Sequence, residues 1–388
     1  MAKKTWILGD VEQDTYVDHL ALGPEQVGGK ATGYSVTKRT LRTGASRGVE
    51  VVEIHNGRLR FVVLPTRGMG IWRASLGDLH LGWKSPVKGP VHPNLVRIWE
   101  PSGIGWLDGF DELFVRCGLE SNGAPEFNEN GTLRYPLHGR IANLPAKRVE
   151  VSIDGDSGEI TVAGVVDEAR LFGNKLRMTT TITTRVGSAE LKVTDTILNP
   201  SAEKSELELL YHVNFGVPLL RPGAKVVLPA AKIAPRDQVA VGNLAEWDTY
   251  GPETPGAPEA VFFCTLNADA QGRTQALLRN AAGTQGASLK FNVAQLPYFS
   301  LWKNRQAAAD GYVTGLEPAV NFPNVKSFEK EHGRVIVLSP GEARTFELAL
   351  EAHADAASVA TAEAAVAKLQ QGAAPEVRKT PDPAWSKG

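Results

Sequence analysis

The sequence contains little of what marks several common classes of protein. Its 388 residues include 2 cysteines, Cys117 and Cys264, and neither belongs to a CxxC pair. This spacing excludes a zinc ribbon and a CxxC redox motif, and an isolated pair is typical of two free thiols in a reducing compartment. No segment approaches the ~20 consecutive apolar residues that span a bilayer. The apolar stretch 6–8 is too short for the core of a signal peptide. We therefore expect a cytoplasmic protein with no membrane partner.

An excess of charge of either sign is also absent. Lysine and arginine number 42 and aspartate and glutamate 43, so the formal net charge is -1. Because the chain has no basic surplus to neutralise phosphates, we expect no nucleic-acid partner. No long block of like charge indicates an interaction tail.

Glycine and proline, in contrast, are abundant and spread along the whole chain, with 39 and 24 copies. They separate many short segments in which apolar and polar residues alternate, as in half-buried strands. Asn56-Gly57, between the segments 48–54 and 58–64, predicts a hairpin with a tight turn. Further strands are predicted at 148–153, 159–166, 176–185, 190–197, 205–214, 260–266, 275–280, 287–293, 299–302, 312–317, 333–338 and 344–352. So many strands with few helices predict an all-β sandwich or barrel.

Helices are predicted in two places only. An alanine-rich stretch, 356–369, is composed of good helix formers, and a short helix is expected within 106–117. The segment 240–258 is interpreted as a long surface loop, since no linker divides the chain. We expect one β domain over residues 1–352, followed at 353–388 by the helix and a loosely ordered tail.

Four short segments place ionisable residues beside apolar or tight-turn residues: 64–70, 135–140, 210–216 and 314–318. A charge at such a place is costly unless it is paired or used. In the third segment, strand alternation turns Tyr211 to one face and puts His212 and Asn214 together on the other. In the fourth, Glu317 precedes Pro318, where the strand is expected to stop or to run along an edge. Taken alone, each ionisable residue would be read as structural.

The region 77–136 carries several glycine turns and the tryptophans Trp83, Trp99 and Trp106. Long structured loops on a β scaffold often carry function. An indole can stack on the apolar C–H face of a pyranose, although packing of the loop onto the sandwich is the better explanation for any single tryptophan.

Together these segments resemble the galactose mutarotase-like superfamily, and within it the aldose 1-epimerase-like proteins of the DUF4432 family. The resemblance runs in order from about Gly48 to Leu350. The segments that carry it are 65–69 (PTRGM), 82–86 (GWKSP), 117–119 (CGL), 137–140 (LHGR), 211–214 (YHVN), 302–303 (WK) and 315–318 (GLEP). The resemblance implies a large antiparallel β-supersandwich, a small sugar as substrate, and an isomerase that needs no cofactor.

The resemblance also implies roles for individual residues. His212 matches the general acid of a mutarotase and Glu317 its general base, whereas His138 and Arg67 match the residues that bind the sugar. Around them, Lys303 and Lys84 are expected to hold hydroxyls or a substrate carboxylate. Trp302 would stack on the ring, and Asn214 would orient His212 or a hydroxyl. No metal is expected, and the chain is expected to act as a monomer or homodimer.

Three alternatives stay open at this point. The same histidine and glutamate could move a proton at another sugar carbon, in an epimerase or isomerase of a keto- or acid sugar. The sandwich could instead bind sugar without catalysis, because a fold does not fix a function. Finally, His138, His212 and Glu317 could form a set of two histidines and one carboxylate for a metal, although no close-spaced ligand motif supports it.

Overall fold

A computed structural model describes residues 3–387, which form two large β-sheets with few helices. The strands are β1 (Lys3–Asp10), β2 (Thr15–Tyr16), β3 (Leu20–Leu22), β4 (Ser35–Thr40), β5 (Glu50–His55), β6 (Leu59–Leu64), β7 (Gly70–Leu76), β8 (Leu79–Leu81), β9 (Phe114–Leu119), β10 (Glu126–Phe127), β11 (Leu133–Tyr135), β12 (Arg148–Asp154), β13 (Glu159–Ala169), β14 (Lys175–Arg185), β15 (Glu190–Leu198), β16 (Ser205–Gly216), β17 (Lys225–Val227), β18 (Ala230–Pro235), β19 (Ala260–Leu266), β20 (Arg273–Arg279), β21 (Gly286–Asn292), β22 (Tyr298–Asn304), β23 (Val313–Ala319), β24 (Ile336–Leu338), β25 (Ala343–His353) and β26 (Glu376–Val377). The α-helices are α1 (Pro24–Val27), α2 (Gln238–Gly242), α3 (Lys326–Glu331) and α4 (Ala356–Gln370).

The smaller sheet has ten strands in the order β17-β20-β21-β25-β15-β14-β13-β12-β1-β2. The larger sheet follows the path β26-β18-β19-β22-β23-β16-β9-β7-β6-β5-β4-β3, with β24 on β16 and β8 on β7. All strand pairs in both sheets are antiparallel except β18 with β26. Buried apolar side chains from both sheets form one continuous core between them. The predicted all-β antiparallel sandwich is therefore confirmed.

The local predictions agree with this architecture at most strands. The hairpin around Asn56 forms between β5 and β6, and the Asn56 side chain accepts hydrogen bonds from the backbone N–H groups of Arg58 and Leu59. The Asn56 side chain thus pairs two backbone N–H groups of the turn, which explains why the Asn-Gly dipeptide is a strong hairpin signal. The alanine-rich helix is also confirmed, as α4, and the Asp355 side chain caps its first turn.

The short helix expected within 106–117 is present only at the start of that range. Only a short 3-10 helix, Gly105–Gly109, forms there, and strand β9 occupies Phe114–Leu119. All six residues of β9 are buried. An apolar run without alternation cannot be assigned to helix or strand from periodicity alone, and here its position between β7 and β16 decides for a strand.

The expectation that a strand ends or lies on an edge at Pro318 is also wrong. Strand β23 continues to Ala319 and lies between β22 and β16. Pro318 faces Phe299 of β22 in the register. The interior of the sheet tolerates the missing N–H of this proline because the β16–β23 ladder is interrupted beside it.

The segment after α4, predicted to be loosely ordered, contacts the larger sheet. Strand β26 pairs with β18, the Asp382 carboxylate binds Lys232 at 2.6 Å, and the Trp385 ring packs on Phe322 with 5.0 Å between centroids. Within residues 3–387, no helix is both long and apolar enough to cross a bilayer. Cys117 and Cys264 are free, as the sequence predicts, and both are buried.

Candidate active site

His212 and Glu317 lie opposite each other on neighbouring strands of the larger sheet. The antiparallel register pairs Val213 of β16 with Leu316 of β23, and one step along that register sets His212 across from Glu317. The Nε2 atom of His212 is 3.1 Å from Oε1 of Glu317. The residues are only 4% and 2% exposed. Strand pairing therefore brings together two residues that are 105 positions apart (317 − 212) in the sequence.

Gly315 creates the room in which this pair meets. It lies on the same face of β23 as Glu317, because side chains two residues apart on a strand share a face. A Cβ atom at position 315 would overlap the Glu317 carboxylate and would lie 2.9 Å from Cε1 of His212. A larger residue at this position would push the pair apart, so the glycine is part of the geometry of the site.

Asn214 lies behind His212 and is fully buried. Its Oδ1 is 2.6 Å from Nδ1 of His212. Its Nδ2 donates to the backbone carbonyl of Glu112 at 3.0 Å and to that of His212 at 3.2 Å. The asparagine is thus held on three sides, with its amide oxygen against the imidazole of His212.

The pair opens onto a cavity of about 300 Å³, at the lower end of the ~300–1,000 Å³ range of small-molecule sites. It is lined by Trp106, Leu107, Phe110, Ala124, Leu137, His138, His212, Arg236, Glu259, Val261, Trp302, Glu317 and Pro323. A few polar groups among apolar and aromatic walls are typical of small-ligand sites, and this volume suits a ligand of monosaccharide size.

Three aromatic rings surround the imidazole of His212. The ring centroids of Phe110, Trp302 and Trp106 are 5.1, 5.3 and 6.3 Å from that of His212. The Trp302 indole N–H donates to the Glu259 carboxylate at 2.6 Å, which fixes the orientation of that ring. These rings exclude water from the histidine and offer apolar faces to a ligand.

His138 is the second histidine of the cavity. Its backbone has φ = 56°, in the left-handed region that residues other than glycine rarely adopt. Its Nδ1 is 2.8 Å from the backbone carbonyl of Asn122, and its ring centroid is 5.6 Å from that of His212. Such backbone outliers are frequent at functional sites, where the surrounding structure holds a side chain in an unusual direction.

Burial perturbs the proton affinities of the pair in opposite directions. It raises the pKa of Glu317 well above its usual range, the nearby Glu259 raises it further, and Arg236 partly opposes both. Burial also lowers the pKa of His212 well below its usual value, and the adjacent His138 adds to this, whereas the contact with Asn214 opposes it. Glu317 Oε1 makes no hydrogen bond of acceptable geometry within the described residues. Perturbed and incompletely satisfied groups of this kind are characteristic of catalytic sites.

Arg67 does not line the cavity, contrary to the expectation that it holds the sugar. Its guanidinium is 2% exposed and forms an ion pair with Glu112 at 2.6 Å. It also donates to the Asn143 side chain at 2.8 Å and to the carbonyls of Val91 and Gly109, both at 2.9 Å. Because these partners engage the guanidinium inside the protein, Arg67 ties the loops together and has no donor free for a ligand.

Neither predicted lysine lines the cavity. The Lys303 ammonium donates to the carbonyls of Glu246, Trp247 and Thr249, and therefore anchors the segment 240–258 to β22. Burial lowers the pKa of Lys303 to about 8. Lys84 is exposed and lines a separate cavity. Of the predicted substrate-binding residues, the structure brings only His138 and Trp302 to the cavity wall, with Asn214 behind it.

Two charged lining residues, Arg236 and Glu259, were not predicted. Arg236 follows β18 and donates to Glu259, just before β19, at 3.0 Å, and the interaction of Glu259 with Trp302 brings both to the cavity. In the sequence they are ordinary charged residues next to a proline and a loop, so no local signal distinguishes them. Trp106 belongs to the tryptophan-rich region, whose composition did indicate function.

No group of three or more His, Cys, Asp or Glu side chains in the described part of the chain is arranged to hold a metal ion. His138, His212 and Glu317 all line the cavity. Nδ1 of His138 faces a backbone carbonyl, and His212 faces Asn214 and Glu317.

The fold is a large antiparallel β-sandwich with a buried cavity of small-ligand size, and comparison with known proteins gives the family. The model of the family described as "Domain of unknown function (DUF4432)" matches residues 46–352. The chain belongs to this family. A protein from Klebsiella pneumoniae that is provisionally named an aldose 1-epimerase is 34% identical in sequence to this chain. Its crystal structure matches this fold with a TM-score of 0.94. The match covers 98% of this chain and 99% of that chain.

Two more distant structures share the fold. A galactose mutarotase-like protein from Clostridium acetobutylicum has a TM-score of 0.56 at 16% identity, covering 82% of this chain and 98% of that chain. A protein from Escherichia coli K12, provisionally named an aldose 1-epimerase, has a TM-score of 0.52 at 16% identity, covering 79% and 99%. A comparison with the curated proteins gave no match.

Proposed function

We propose that this protein is an aldose 1-epimerase-like isomerase that interconverts the anomers of a monosaccharide or sugar acid. The observation that carries the proposal is the contact between His212 and Glu317, 3.1 Å apart at the wall of a cavity of about 300 Å³. The provisional name of the Klebsiella relative supports the same reaction class.

Mutarotation needs two proton transfers and no redox step. A base takes the proton from the anomeric hydroxyl, an acid gives a proton to the ring oxygen, and the bond between C1 and that oxygen breaks. The open-chain aldehyde rotates about C1–C2, and the ring closes on the other face with both transfers reversed. Each group therefore acts once as acid and once as base, and the pair His212–Glu317 holds one exchangeable proton before and after the cycle. Positioned acid–base groups typically contribute ~10²–10⁴-fold in rate.

The remaining lining residues would bind the sugar. Arg236 and Glu259 supply a donor and an acceptor for neighbouring hydroxyls, and the second carboxylate oxygen of Glu259 already fixes Trp302. The Trp302 ring is placed to stack on the apolar face of a pyranose. The ring nitrogen of His138 that does not face Asn122 is available to a hydroxyl. Lys303 and Arg67 act on the ligand only through the loops that they anchor.

The test is anomer exchange measured by NMR across aldoses, uronic acids and keto-sugars. With a sugar that the protein turns over, Glu317→Gln is expected to lower the exchange rate by ~10²–10⁴-fold while binding of that sugar survives. Glu329→Gln is the matched control, because Glu329 is equally buried but lies on α3 and binds Arg334. A wild-type rate in Glu317→Gln would contradict the proposal. Solvent deuterium appearing at a C–H position would move the reaction to another sugar carbon.

A further inference from the structure

We propose that Asn214 is a positioning residue that fixes His212 as its Nδ1–H tautomer, and that the shared proton therefore resides on Glu317 in the substrate-free protein. The inference deepens the proposed function and rests on it for its catalytic meaning. The structural claim itself concerns three side chains and can be tested without turnover.

The orientation of the Asn214 amide is the first step. Its Nδ2 lies 3.0 Å from the carbonyl of Glu112 and 3.2 Å from the carbonyl of His212. Both neighbours are pure acceptors, so the amide nitrogen must face them and the amide oxygen must face the imidazole. Since Oδ1 lies 2.6 Å from Nδ1 of His212 and can only accept, Nδ1 carries a hydrogen and donates it.

The second step concerns the other ring nitrogen. A neutral imidazole with hydrogen on Nδ1 has a bare lone pair on Nε2, 3.1 Å from Glu317 Oε1. Within the described residues Oε1 accepts no hydrogen bond of acceptable geometry, so no N–H group stabilises a negative charge on this buried oxygen. A buried carboxylate oxygen without a donor is costly, and a neutral carboxyl avoids most of that cost. The contact thus suits a neutral carboxyl beside a neutral imidazole.

The surroundings disfavour the alternative, in which a carboxylate faces an imidazolium. Both side chains are nearly fully buried, and the aromatic rings of Phe110, Trp302 and Trp106 surround the histidine. Two charges removed from water need good mutual geometry and further hydrogen bonds, and within residues 3–387 Oε1 of Glu317 receives none. The neutral pair avoids this cost, and the raised pKa of Glu317 and the lowered pKa of His212 agree with it.

The consequence is an order of proton transfers in ring opening. The Glu317 carboxyl gives its proton to the ring oxygen, and Nε2 of His212 takes the proton of the anomeric hydroxyl as the C1–O bond breaks. The pair is then a carboxylate and an imidazolium, and ring closure returns both protons. The resemblance to mutarotases implies the opposite roles in ring opening, with the histidine as acid and the glutamate as base. Both orders are balanced, and the substrate-free protonation state distinguishes them.

The direct test is ¹⁵N NMR of the protein labelled at histidine. We expect His212 to be neutral with hydrogen on Nδ1 across neutral pH. His138 is an internal reference, because its Nδ1 faces the Asn122 carbonyl and must carry the hydrogen as well. A hydrogen on Nε2 of neutral His212, or an imidazolium at neutral pH, would overturn the inference. An infrared carbonyl band of a protonated carboxyl that disappears in Glu317→Gln would support it, and its absence from the wild-type protein would contradict it.

Asn214→Asp provides the variant test. A carboxylate beside Nδ1 favours the imidazolium, so the NMR spectrum should show a raised His212 pKa and the acid limb of the pH–rate profile should move to higher pH. A merely structural role for Asn214 would lower stability without moving that limb. Asn199→Asp is the matched control, because Asn199 is equally buried and its amide also donates to carbonyls, away from the cavity. These spectra use substrate-free protein, so a failure of the proposed function would leave them interpretable.

Discussion

The two faces of strand β16 carry opposite kinds of polar site. On the face toward the smaller sheet, the Tyr211 hydroxyl donates to Asp195 at 2.8 Å, and Arg116 binds the same carboxylate at 2.6 and 2.9 Å. Thr180 and two backbone carbonyls complete the network, so each charge has several partners. On the opposite face, the neighbouring His212 meets Glu317, whose Oε1 has no hydrogen bond of acceptable geometry within the described residues.

This difference shows how one strand supplies both stability and reactivity. A buried charge with several hydrogen bonds is inert, because every alternative state loses those bonds. A buried acid–base pair with few bonds keeps protons that a ligand can exchange. Arg67, which the sequence offered as a ligand-binding residue, is of the first kind, since its donors are engaged within the protein.

The largest expected effect on stability comes from breaking the satisfied network. Asp195→Asn leaves the fully buried Arg116 without its charge partner, so the free energy of unfolding should fall by about 3–5 kcal/mol. Urea unfolding measures this change. The exposed pair Arg60–Glu53 is the control, and Glu53→Gln should cost less than about 1 kcal/mol. Equal losses of unfolding free energy at the two ion pairs would contradict the expected difference between a buried and an exposed pair.

A smaller effect is expected from the hydroxyl on the same face. Tyr211→Phe removes one hydrogen bond to the Asp195 carboxylate and leaves the Arg116 contacts in place, so the loss should be about 1.5–3 kcal/mol. Anomer exchange by the folded variant should stay near the wild-type rate, because Tyr211 faces away from the cavity. A loss of exchange comparable to that of Glu317→Gln would contradict the separation of the two faces.

A substitution at Glu317, on the cavity face, should raise the free energy of unfolding, whereas the two substitutions on the other face should lower it. Because the pKa of Glu317 is raised on folding, the folded state binds more protons than the unfolded state above about pH 4.5, and stability falls as pH rises through that window. Glu317→Gln removes this term, so the variant should gain stability relative to wild type, by at most about 1.4 kcal/mol per pH unit. Thermal unfolding at pH 5 and pH 8 measures the difference. A variant that becomes relatively less stable at pH 8 would indicate that Glu317 is ionised and paired.

Local patterns predicted the strands well because alternation and turn residues act over a few positions. They missed β9, which is buried throughout and shows no alternation. They also misjudged Pro318, because only the register of three strands shows that the missing N–H meets an interrupted ladder. Arg236 and Glu259 escaped prediction for a related reason, since their side chains meet just beyond the ends of the paired strands β18 and β19, and only the register of those strands brings them together.

The sequence by itself determined the class of fold, the hairpin at Asn56, helix α4 and the candidate pair His212 and Glu317. Periodicity, turn chemistry and a set of ordered motifs are local properties of the chain. Only the tertiary structure decided which polar residues share a cavity and which use their hydrogen-bonding groups on partners inside the protein. Arg67, Lys303 and His138 look alike in sequence as polar residues beside apolar ones. Their roles diverge because the number of hydrogen-bond partners that reach each side chain is set by strand register and loop packing.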